Sequence, residues 1–144
     1  MKLRLFFSTL LFSILAVAAS AQKAKPGTAY AQITSATMRT EPRPGSDPEV
    51  FYNFNTTWKS SAKPEAIFFR GQEAWANCVV IKDGKDISPE LIKKGNKVSF
   101  KTISGGRFAI PKELDGIKAP ALFFQVKGKW YYLPVRNIKK MNTR

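Results

Sequence analysis

Tyr52, Phe54, Thr56 and Trp58 alternate with Asn53, Asn55, Thr57 and Lys59. A period of two puts successive side chains on opposite faces of a strand, whereas a helix repeats every three or four residues. The same alternation returns at Val98, Phe100 and Thr102 against Lys97, Ser99 and Lys101. Ser104-Gly105-Gly106 then supplies residues that accept positive φ, and Phe108 and Ile110 resume the apolar face, so this stretch predicts a β-hairpin. Asp83-Gly84 closes a strand around Cys78 to Ile81, and Lys127-Gly128 separates two further strands. Residues 29–40 form a candidate first strand. Residues 41–48 (Glu-Pro-Arg-Pro-Gly-Ser-Asp-Pro) exclude helix and predict a loop. One short helix is expected near 88–95, with Ser88 as its cap, Pro89 and Glu90 in its first turn and Gly95 as its stop, holding Leu91 and Ile92 against the sheets. About eight short strands at this turn spacing predict an all-β chain, a single antiparallel β-sandwich of the Ig-like or transthyretin-like kind.

The N-terminus sets a destination. Lys2 and Arg4 precede an apolar run over residues 5–18, and Ala19-Ser20-Ala21 follows. Charge, an apolar run shorter than the ~20 residues of a membrane span, and a small-residue site together predict a signal peptide of residues 1–21, cut between Ala21 and Gln22. Residues 22–28 are expected to be a flexible lead-in and 29–144 the single domain. No second long apolar run exists, so no transmembrane segment is expected in the mature chain, which would be periplasmic or secreted.

Composition narrows the chemistry. The 144 residues include no His and one Cys. That excludes imidazole-based triads, a histidine pH switch, an intrachain disulfide and a cysteine-rich zinc site. No cofactor or metal is implied. Cys78 lies in phase with Ala76 and Val80 and is expected to be a quiet core thiol. Ser60-Ser61-Ala62-Lys63 matches the S-x-x-K spacing of a serine–lysine pair, but Pro64 disfavours the helix that would align them. The carboxylates Glu65 with Glu73, and Glu113 with Asp115, are the remaining candidates for hydrolytic work. Asp83-Gly84-Lys85-Asp86 offers too few oxygens for calcium. Asn55-Thr56-Thr57 matches a glycosylation sequon.

Two features point to binding. Residues 66–80 (AIFFRGQEAWANCVV) and 121–135 (ALFFQVKGKWYYLPV) echo one another at an offset of 55. Trp75, Trp130, Tyr131 and Tyr132 are either paired core residues of two hairpins or aromatic binding faces; cross-strand aromatic pairs favour the core. The second feature is charge. The chain has 24 Lys plus Arg against 10 Asp plus Glu, a formal +14, and only Lys2 and Arg4 would leave with the leader. Arg136, Lys139, Lys140 and Arg144 end the chain with no acid near. Such a surface raises the local concentration of anionic partners: an anionic polymer, an anionic lipid surface or an acidic protein. Export disfavours nucleic acid as the primary partner, although Tyr131 and Tyr132 on basic strands have the character of a base-stacking surface.

Asp83-Gly84-Lys85-Asp86-Ile87, then residues 102–111 (TISGGRFAIP), resemble the D-G-K-x-I … G-R-F-x-I-P cadence of carboxypeptidase-regulatory-like β-sandwiches. The resemblance implies a small sandwich and no transferable activity, and the aromatic repeat is foreign to it. The sequence therefore points to an exported, non-catalytic binding or envelope-associated module with a basic surface. The alternative is a small metal-independent hydrolase using carboxylates or Lys/Tyr.

Overall fold

The computed structural model describes residues 23–72, 74–88, 90–104 and 109–141. The leader, Gln22, Glu73, Pro89, the Gly105–Gly106 turn with Phe108, and Arg144 lie outside the described residues.

The described chain is all-β. In order the strands are β1 (Lys25–Pro26), β2 (Ala31–Arg43), β3 (Ser46–Trp58), β4 (Ile67–Arg70), β5 (Trp75–Lys82), β6 (Lys85–Asp86), β7 (Lys97–Thr102), β8 (Ala121–Val126), β9 (Lys129–Pro134) and β10 (Ile138–Lys140). A single 3-10 turn at Lys112–Leu114 is the only helical element among the described residues. The strands form one continuous curled sheet, ordered β1-β9-β8-β4-β5-β7-β3-β2-β10, with β6 beside β5. β5 is the shared strand: Trp75 to Asn77 pair with β4, and Cys78 to Ile81 pair with β7. The curl lets the two halves face each other across an apolar core. The expectation of purely antiparallel pairing does not hold at the edges, where β1 runs parallel to β9 and β10 parallel to β2.

Inward positions follow the predicted alternation. Phe54, Trp58, Phe100 and Val98 from one half meet Phe69, Leu122 and Phe124 from the other, all buried. Phe54 and Phe69 rings lie 4.8 Å apart, and Trp58 and Phe124 5.5 Å apart. The one polar side chain at the centre is satisfied: Thr56 Oγ1 donates to the Val98 carbonyl at 2.8 Å and accepts from the Trp58 indole at 3.1 Å.

Residues 41–48 are not a loop. β2 and β3 pair almost to their ends, with Thr40 opposite Val50, Glu41 opposite Glu49 and Arg43 opposite Ser46. The prolines fit because each sits where no ladder hydrogen bond is required. Pro42 lies in the irregularity between Glu41 and Arg43, and Pro48 precedes the stretch of β3 that pairs with β7, Asn53 to Thr57. Pro44 fixes φ, and Gly45 at φ +75° completes the tight turn. The tip of the hairpin therefore projects as a two-stranded arm, with the ion pair Arg43–Glu49 between its strands and Arg39–Glu41 at 2.6 Å along β2. The turns at Asp83-Gly84 and Lys127-Gly128 form as expected, all four residues at positive φ.

The helix expected near 88–95 is absent among its described residues. Ser88 is tied to the sheet instead: its hydroxyl accepts from Val80 N–H at 2.8 Å, and its own N–H donates to Asp86. Ile92 is buried through an isolated bridge to Ala62, while Leu91 is exposed. Residues 22–28, expected to be flexible, include β1; Ala24 is buried, and Gly27 N–H donates to the Tyr132 carbonyl at 2.8 Å.

The outer face of the β9-β8-β4 half is also apolar. The segment carrying Ile110, Leu114 and Ile117 covers it and makes a second core with Phe68, Phe123, Trp75 and Trp130.

Candidate binding face

The internal echo becomes a local two-fold. Phe68 faces Phe123 across β4 and β8, Ile67 faces Phe124, and Phe69 faces Leu122, so equivalent residues of the two copies are related by an axis between Phe68 and Phe123. Each copy's Trp then packs on the other copy's Phe: Phe68–Trp130 at 5.6 Å and Trp75–Phe123 at 5.4 Å. Arg70 stacks over Trp75 at 5.3 Å. Trp75, Trp130 and Tyr132 are mostly buried in the second core, and Tyr131 points the other way, against Tyr30 at 4.9 Å and Phe124. The four aromatics therefore do not make one displayed surface.

Among the described residues, which do not include Glu73, the candidate catalytic groups are likewise not assembled. Ser60 Oγ donates to the Ala29 carbonyl, and Ser61 Oγ accepts from Lys94 N–H. Glu65, Glu113 and Asp115 are exposed. Burial pushes the Cys78 thiol far above its ordinary range, as expected of a core residue. Among the described residues no group of three or more His, Cys, Asp or Glu could hold a metal.

The C-terminal cations are dispersed. Arg136 is exposed in the β9–β10 connection, and Lys139 and Lys140 are exposed on β10. Adjacent strand residues point to opposite faces, so Lys139 and Lys140 part company. Ile138 packs on the core, which sends Lys139 to the outer face of the β10-β2-β3-β7 half.

That outer face is a polar tract positioned by the fold. Register aligns Lys139 with Thr37, Thr37 with Asn53, and Asn53 with Lys101, one residue from each of four strands. The next row runs Ser35, Asn55, Ser99 and Ile81. Asn55 is its hub: its amide oxygen accepts from Ser99 Oγ at 2.7 Å and from Asn53 Nδ2 at 3.1 Å, and its nitrogen donates to Ser35 Oγ at 2.8 Å. These bonds orient the amides. Two hollows flank the tract. One of about 540 Å³ includes Asn55, Ser99, Lys97 and Lys101. The other, about 640 Å³, runs under the arm past Arg39, Phe51, Asn53, Lys101 and Met141. Among the described residues the ion pairs are Arg39–Glu41 and Arg43–Glu49, so Lys97, Lys101 and Lys139 are in no ion pair there, although Asp83 lines the first hollow and Glu41 the second.

No known family, curated protein or solved structure matches this chain. The cadence shared with carboxypeptidase-regulatory-like sandwiches is therefore not extended by any wider similarity. The tract itself was hidden in the sequence. Its polar positions are the outward half of the two alternating strands, but their adjacency, and the arrival of Lys139, depend on strand order. Among the described residues no helix is long and apolar enough to cross a membrane.

Proposed function

We propose that this chain is an exported, non-catalytic binding module that holds an anionic partner on the outer face of the β10-β2-β3-β7 half-sheet. The observation that carries this reading is the row Lys139–Thr37–Asn53–Lys101, with Lys97 two rows further along β7 opposite Thr57, on a surface of hydroxyls and amides. The three ammonium groups are spread over one face at spacings of roughly 13–14 Å, set by strand separation and rise, so a multivalent anion that spans the face meets more than one of them. Hydroxyls and amides between the cations supply neutral hydrogen bonds to whatever the charges draw in. Export is supported by the leader-like residues 1–21, and N-terminal sequencing of the secreted protein should begin at Gln22.

Binding of this kind is screened over about 10 Å at 0.1 M salt. Fluorescence anisotropy with a labelled polyanion should show affinity falling steeply as salt rises. Changing Lys97, Lys101 and Lys139 together to Gln should abolish most of that affinity with little change in melting temperature. Changing Arg136 and Lys140 to Gln should matter less. Equal losses from the two sets would show that net charge, and not this face, does the binding.

A further inference from the structure

We infer that the hollow beneath the arm is a subsite for an acidic sugar, so that the anionic partner is an acidic polysaccharide. The inference rests on the proposed binding face and adds the ligand's chemistry. Arg39 lies over Phe51 with its guanidinium carbon 5.3 Å from the ring centroid, and Glu41 holds the same guanidinium at 2.6 Å. The result is an exposed guanidinium stacked on an aromatic ring, a flat surface at one end of the hollow. A pyranose ring presents aliphatic C–H groups on its faces and suits such a platform. Lys101 lines the same hollow, and Lys139 lies beside Thr37 at its margin, which places cations within reach of a ring carboxylate or sulfate.

The deciding group is Asn53. Its nitrogen is committed to Asn55, and its oxygen is shielded and accepts no hydrogen bond. An orphaned shielded acceptor is costly and is relieved only by a donor. Carboxylate, sulfate and phosphate esters bring acceptors, which suit the lysines and do nothing for Asn53. A sugar brings hydroxyl donors and an acid on one small ring, and so answers both. A lipid surface fits less well. Of the side chains lining this hollow, Met141 is the one strongly exposed large hydrophobe, and the cations sit among polar groups rather than around an apolar prow.

The test compares ligands of equal charge number at one salt concentration by isothermal titration: oligogalacturonate, oligoglutamate and phosphatidylglycerol vesicles, with neutral dextran as control. The expected result is oligogalacturonate binding about tenfold tighter than oligoglutamate, with Phe51→Ala and Asn53→Ala each removing about fivefold of that preference. Circular dichroism melts of both variants check that the hairpin remains folded, and Phe51→Leu, which keeps bulk without a flat ring, provides a second probe. If oligoglutamate or vesicles bind as tightly as oligogalacturonate, and the Phe51 and Asn53 variants bind like wild type while Lys97, Lys101 and Lys139 still matter, the sugar subsite is overturned and the basic face survives. If none of the anions binds, or the lysine substitutions change nothing, the face itself is overturned.

Discussion

Truncating Trp75 and Trp130 separately to Ala should destabilise the protein by similar amounts, because the local two-fold gives them the same partner in the opposite copy. A fully buried aromatic truncated to Ala costs about 3–5 kcal/mol. Both tryptophans are mostly buried, so about two-thirds of that applies, about 2–3 kcal/mol. Loss of a ring pair, at 5.4 Å for Trp75 with Phe123 and 5.6 Å for Trp130 with Phe68, adds about 0.5–1.5 kcal/mol. The expected loss is therefore about 2.5–4.5 kcal/mol for either variant. Trp75 should lie at the upper end, since it also loses the Arg70 guanidinium stacked at 5.3 Å. In urea, with a slope of about 2 kcal/mol/M for a domain of this size, the midpoint should fall by about 1–2 M in both cases. The cycle Phe68→Ala, Trp130→Ala and the double variant should show positive coupling, and so should the Phe123–Trp75 cycle. Midpoints unchanged within about 0.2 M, with a ligand lost, would refute the reasoning and make these residues a binding surface.

Two further predictions concern packing and burial. A Cβ on Gly27 would come within 2.8 Å of the buried Phe124 ring, which is wedged between Tyr30, Trp58 and Tyr131, so Gly27→Ala should cost about 1–3 kcal/mol in the same urea melts. Cys78 should resist a thiol reagent in the native state and react on unfolding; moreover, because burial raises its pKa in the folded chain, the unfolded chain alone releases the proton above about pH 8.5, so stability should fall with rising pH from there, more in wild type than in Cys78→Ala.

The parts of this account that the sequence made legible are those set by local rules. Alternation at Tyr52 to Trp58 and at Val98 to Thr102 identified strands and their buried faces, because pleating fixes which side chains share a side. Asp83-Gly84 and Lys127-Gly128 identified turns, because few other pairs tolerate two successive positive φ values. The echo at an offset of 55 identified two related hairpins. Non-local facts were not legible. Proline density at 41–48 is the signature of a loop unless the strand has free edges, and whether β3 is paired beyond Asn53 depends on where β7 stops. Ser88 looked like a helix cap because Ser, Pro and Glu in that order satisfy helix rules, yet its hydroxyl meets Val80 across the chain. Closeness in sequence grouped Lys139 with Lys140 as one patch, whereas strand alternation separates them. Conversely, Lys97, Lys101, Asn53 and Lys139 come from three distant segments, and only the sheet order unites them.

The most direct test of the binding face is a residue-resolved map. Backbone amide spectra of the folded chain, titrated with oligogalacturonate at low salt, should show shifts concentrated at Thr37, Asn53, Lys97, Ser99, Lys101 and Lys139, and reversed by added salt. Shifts centred instead on Trp75, Trp130 and Tyr132, or spread evenly over every exposed lysine including Lys63 and Lys118, would contradict the assignment of binding to this face.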